Sequence, residues 1–190
     1  MLKLAEVSTK IDSFQGLIDA LAQQVEQLIC VDDARAILER FEPNISELNA
    51  YLNFSDVKYQ RNLVFKNDYF EVLVLCWKPG QVTPIHNHRH SWCGVRVLKG
   101  IATEFRFEET PCGTWIPADQ ERVYEGGVTS SFDTDTHILG NFETQDLVTM
   151  HCYAPPLQDY DIVDVSKTIA SSLNTVYRVT DLTRGMHSKK

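Results

Sequence analysis

The chain has 190 residues, 43% of them hydrophobic, enough apolar material to close one substantial core without staples. Lys and Arg number 18 against 26 Asp and Glu, and the formal charge of -8 makes nucleic acid and anionic membrane poor partners. Residues 1–7 carry no sustained apolar run, no window approaches the roughly 18 apolar residues of a membrane span, and five widely spaced cysteines lack any Cys-x-x-Cys pair. These features predict a cytoplasmic chain with neither a disulfide framework nor a zinc ribbon.

Phe14, Leu17, Ile18, Leu21, Val25 and Leu28 recur at helical spacing behind Ser13, which predicts a first helix over 13–29. Asp32 and Asp33 cap a second short helix through Ile37 and Leu38, and Asn44, Ser46 and Glu47 after Pro43 predict a third. Beyond Asp56 the pattern changes to short runs rich in Val, Leu, Phe, Tyr and Thr, broken by Gly- and Pro-containing turns. Strands are expected at 58–66, 70–77, 93–99, 101–108, 121–124, 128–132 and 146–153, and so many short strands imply a sandwich or barrel. The tail after Pro156 gives no clear assignment. The expectation is one domain over 1–190, with a helical segment of about 1–52 packed on a barrel of about 56–180.

The chemistry concentrates in two segments. In Gly80-x5-His86-x-His88-x4-Cys93-x6-Gly100, a spacing of two in extended chain puts both imidazoles on one face, and the glycines let the chain bend around them. A bare His-x-His is more often a surface or core pair than a metal site. His137-x3-Asn141, following Gly126-Gly127, offers a third imidazole. Together the segments resemble the cupin family, which implies a mainly β jelly-roll barrel with His86, His88 and His137 as metal ligands. Cys93 stands where that family usually has a ligand carboxylate, and Phe132 and Thr134 replace the usual Pro and Gly of the second motif. A three-histidine site adds no negative charge and leaves positions open, so an anionic substrate can supply the missing charge. Imidazole suits zinc, copper, nickel and iron alike.

In residues 149–156, alternation puts Thr149, His151 and Tyr153 on one face and Met150 with Cys152 on the other. This is either a half-buried strand with its polar face in water or, beside a metal, a polar row pointing into the barrel.

Tyr59-Gln60-Arg61-Asn62-Leu63-Val64, Leu75-Cys76-Trp77, the histidine pair with Cys93, His137, and Thr149-x-His151-x-Tyr153-x-Pro155-Pro156 stand in the order of the cysteine dioxygenase family. The chain resembles that family over most of its length. The resemblance implies one iron(II) per chain on His86, His88 and His137, with the thiolate and amine of L-cysteine and dioxygen as its other partners. Arg61 would hold the substrate carboxylate, a task suited to a forked guanidinium, rather than a surface ion pair. Tyr59 and Trp77 would complete the substrate site, and His151 would orient Tyr153 with Thr149 behind it. Cys93 and Tyr153 would be joined by a thioether in many members; otherwise Cys93 is a small buried residue. The product would be a sulfinic acid, made by a monomer. Two alternatives stay open: 3-mercaptopropionate as substrate, since relatives acting on it tend to have Gln where Arg61 stands and Gln60 is adjacent, and a non-catalytic cupin that only binds a metal or ligand.

Overall fold

A computed structural model describes residues 9–25, 31–132, 135–158 and 161–163. The expected extension of the first helix past Val25, Cys30, Thr134 and the barrel's proposed end near 180 lie outside the described residues. No described helix is long and apolar enough to cross a membrane.

All three predicted helices form. In α1 (Phe14–Val25) the Ser13 hydroxyl accepts the Gly16 amide at 3.2 Å. In α2 (Val31–Arg40) Asp32 and Asp33 occupy the first turn and Arg40 the last, each charge complementing the helix dipole. Short α3 (Ile45–Asn49) is capped by Asn44, which accepts the Glu47 amide. The Glu47 carboxylate then accepts the Phe14 amide at 2.9 Å, tying α3 to the start of α1.

The strands are β1 (Gln60–Lys66), β2 (Glu71–Trp77), β3 (Trp92–Lys99), β4 (Ile101–Glu109), β5 (Trp115–Tyr124), β6 (Val128–Phe132), β7 (Thr136–Gly140) and β8 (Leu147–Ala154). They make an antiparallel five-stranded sheet ordered β1-β2-β8-β3-β6 and a three-stranded sheet ordered β5-β4-β7. Period-two alternation divides the residues of the large sheet between two cores. Outward-facing Val72, Val74, Val148, Met150 and Cys152 pack under Leu17, Leu38 and Phe41 of the helical segment. Inward-facing Leu73, Leu75, Val95 and Val97 meet Ala102, Val123 and Leu139 across the barrel. Each such side chain contributes about 1.5–3 kcal/mol by leaving water. Phe105, Phe107 and Ile138 form a third cluster with Ile85 on the outer side of the small sheet.

Two strands depart from the sequence reading. The exposed edge strand β5 begins at Trp115 rather than near 121, because its middle residues are polar and held by backbone pairing to β4 rather than by an apolar face. The unpredicted β7 is buried at all five residues, so Thr136-His137-Ile138-Leu139-Gly140 shows no alternation of polarity to betray it.

Candidate metal centre

His86 lies outside the named strands, in an extended segment that runs beside β7. Gly80 at the head of this segment and Gly100 after β3 both take positive φ, 82° and 87°, as bends at those positions require. Gly140 serves closeness instead: a Cβ there would come within 2.4 Å of Val82 and 2.8 Å of the Gln81 carbonyl oxygen. The His86 and His137 backbones exchange two hydrogen bonds, of 3.0 and 2.9 Å. Two of the three imidazoles are thus fixed by backbone pairing, and His88 follows two residues on.

The three rings converge. Their centroids are 4.7–5.1 Å apart, and one ligand atom from each lies within 4.8 Å of the others. Each Nδ1 is engaged away from this point: His86 with the Pro84 carbonyl oxygen at 3.0 Å, His88 with the Ser131 hydroxyl at 3.2 Å, and His137 with a Glu104 carboxylate oxygen at 2.5 Å. A carbonyl oxygen only accepts, so His86 carries its proton on Nδ1 and keeps the Nε2 lone pair for a metal. Burial, reinforced by the neighbouring His137, pushes His86 down to about 3 and His88 to about 2, so both rings are neutral near pH 7. Three buried imidazoles with their outer nitrogens satisfied fit a first-row transition metal.

Glu104 and Ser131 were missed in the sequence. Glu104 shares the inward parity of β4 with Ala102, and a carboxylate at a position facing a barrel interior was the available signal. Burial pushes its pKa up, but the hydrogen bond and charge of His137, then Arg106 and Thr129, hold it near 2.

A cavity of about 890 Å³ opens onto the histidines and is also lined by Tyr59, Arg61, Cys93, His151 and Tyr153. Register explains the grouping. Cys93 and Tyr153 are direct cross-strand partners on β3 and β8, and Arg61, Leu75 and Thr149 fall in one row across β1, β2 and β8. The Arg61 guanidinium sits 5.6 Å from the Tyr153 ring centroid. Burial pushes the Tyr153 hydroxyl well above its usual value, with Cys93 adding to the effect and Arg61 opposing it, and burial pushes up the Cys93 thiol.

The polar row of β8 is interior, not half-exposed: Thr149, His151 and Tyr153 are 0, 3 and 2% exposed. Trp77, expected as a substrate contact, stands behind the lining residue Tyr59. It is fully buried one layer behind the cavity wall, stacked on Tyr59 at 4.2 Å, and its indole N–H donates to Thr149 Oγ1 at 2.9 Å. Trp77 pairs with Leu147 across β2 and β8 and belongs to the same buried cluster as Leu75 and Leu147.

The family model described as Cysteine dioxygenase type I matches residues 3–166. The chain belongs to the type I cysteine dioxygenase family. It is 30% identical to cysteine dioxygenase type 1 of Rattus norvegicus over 131 residues, a match spanning 66% of each chain. With the Danio rerio protein of the same name it shares 27% identity over 161 residues, 78% of each chain. Among solved structures, a Klebsiella pneumoniae protein with a double-stranded β-helix domain superimposes with a TM-score of 0.53 at 17% identity, covering 61% of this chain and 88% of that one. A Thermus thermophilus protein gives 0.50 at 17% identity, covering 59% and 97%. These likenesses bear out the mainly β, cupin-like fold expected from the sequence.

Proposed function

We propose that the protein is a thiol dioxygenase that converts L-cysteine and dioxygen to cysteine sulfinic acid at one iron(II) held by His86, His88 and His137. The observation that carries this reading is one cavity joining three convergent imidazoles to a guanidinium and a buried phenol. Iron(II) supplies a place where thiolate sulfur and dioxygen meet; both oxygen atoms end on sulfur, and no external reductant is consumed.

The chain's own groups then have distinct tasks. Arg61 receives the substrate carboxylate, with Tyr59 beside it, and thereby orients the sulfur toward the histidines. Trp77 donates to Thr149, leaving the threonine hydroxyl to donate to His151 Nε2 at 3.0 Å. Burial keeps His151 neutral, so its proton sits on Nδ1 and is donated to the Tyr153 hydroxyl oxygen at 3.2 Å. The Tyr153 proton is thereby turned toward the cavity, where it stabilises charge on the reacting oxygen or sulfur. Trp77 and Thr149 act as positioning residues for that proton.

The contact of Cys93 with Tyr153 supports a thioether between them, formed with loss of two hydrogens to dioxygen. Gln60, which left 3-mercaptopropionate open, also lines the cavity but donates its amide to the Lys58 carbonyl oxygen at 3.0 Å, whereas Arg61 lies over Tyr153, which favours cysteine. The reading further takes the chain as a single cytoplasmic cupin domain acting as a monomer, its acidic surface unsuited to nucleic acid or membrane.

An oxygen-electrode assay of the iron-loaded protein tests the whole. Cysteine is expected to be consumed with a higher kcat/KM than 3-mercaptopropionate, with the sulfinate as product; metal binding without turnover of either thiol would make the protein a binding cupin. Intact mass is expected two hydrogens below the calculated value after turnover, a deficit that Cys93→Ala abolishes.

A further inference from the structure

The three imidazoles differ in what lies behind them. His86 donates to a peptide carbonyl oxygen and His88 meets a hydroxyl, both uncharged, whereas His137 meets a carboxylate at 2.5 Å. Glu104 is 1% exposed, and its second oxygen is occupied by Thr129 Oγ1 at 2.8 Å and by Arg106 at 3.1 Å. Arg106 also donates to Thr129 Oγ1 at 3.2 Å and lies 3.6 Å from Glu121. Its side chain is 41% exposed, so a charge at the surface is coupled to the metal site through a buried line of Arg106, Glu104 and His137.

We propose that Glu104 supplies, through His137, the negative charge that a set of three imidazole ligands lacks, and that Arg106 sets how much of that charge reaches the metal. A carboxylate accepting the Nδ1 proton makes the opposite nitrogen a stronger donor, and burial keeps water from damping the effect. His137 is therefore the strongest of the three ligands and favours the oxidised over the reduced metal. Arg106, bonded to the far oxygen of the same carboxylate, draws charge the other way. Glu104 and Arg106 are positioning and tuning residues; neither lines the cavity.

Their role rests on the three-histidine metal reading, and two measurements on iron-loaded protein separate the failure of one from that of the other. Competition with a chelator gives iron(II) affinity, and mediated titration gives the midpoint potential of the bound iron. Glu104→Gln is expected to weaken iron(II) binding by roughly 10- to 100-fold and to raise the potential. Arg106→Met, at a half-exposed side chain whose apolar stem methionine can replace, is expected to lower the potential, and it gives an answer even where Glu104→Gln fails to fold. Opposite shifts distinguish tuning from mere structural damage, which would move both variants alike. Wild-type protein that binds no iron overturns the metal reading and this role with it. Wild-type protein that binds iron while Glu104→Gln binds it equally well, or potentials that shift in the same direction in both variants, overturns this role alone.

Discussion

Alternate residues of β8 serve two different interiors. Thr149, His151 and Tyr153 face the cavity side and are joined by hydrogen bonds, while Val148, Met150 and Cys152 face the helices and are held by packing alone. Both faces are equally buried, so burial does not separate functional from structural residues here. What separates them is direction: the polar face exchanges directional bonds with a defined order of donors, and the apolar face only fills space.

The comparison can be tested face by face. Met150→Ala is expected to cost about 2–5 kcal/mol in chemical denaturation, because α1 and α2 cannot fully close the void, while kcat stays near the wild-type value. Tyr153→Phe is expected to do the reverse: kcat/KM for cysteine falls on the order of 100-fold with the unfolding midpoint little changed. Should either variant lose stability and activity together, the division between the faces fails.

Acid sharpens the same contrast. His86 and His88 have folded values near 3 and 2, below the ordinary 6.5, so the unfolded chain takes up protons that the folded chain refuses. The stability they allow is present above 6.5 and is lost as pH falls below it; metal-free protein is expected to lose about 2 kcal/mol per histidine by about pH 5. Denaturation curves at several pH values measure the loss, and the increment from Met150→Ala should be the same at each. The smallest effect belongs to Thr149. Thr149→Val removes the hydroxyl between Trp77 and His151 and is expected to lower kcat roughly tenfold, whereas Thr149→Ser, keeping the hydroxyl, stays close to wild type in the same assay.

The sequence alone determined the helical segment and seven of the strands at least in part, because apolar periodicity is a local property of the chain, and the cavity residues named above were reached through the family resemblance that its short spaced motifs carry. His86 and His88 were legible as a pair for the same reason. Only the tertiary structure decided that β7 is a strand, since its burial is uniform, its polarity does not alternate, and its pairing to β4 and to residues 80–86 is made across long stretches of chain. Only the tertiary structure put Trp77 behind Tyr59 and Thr149, and Glu104 behind His137. Strand register sets both placements, and register is fixed by how whole sheets close on one another rather than by any short run of residues.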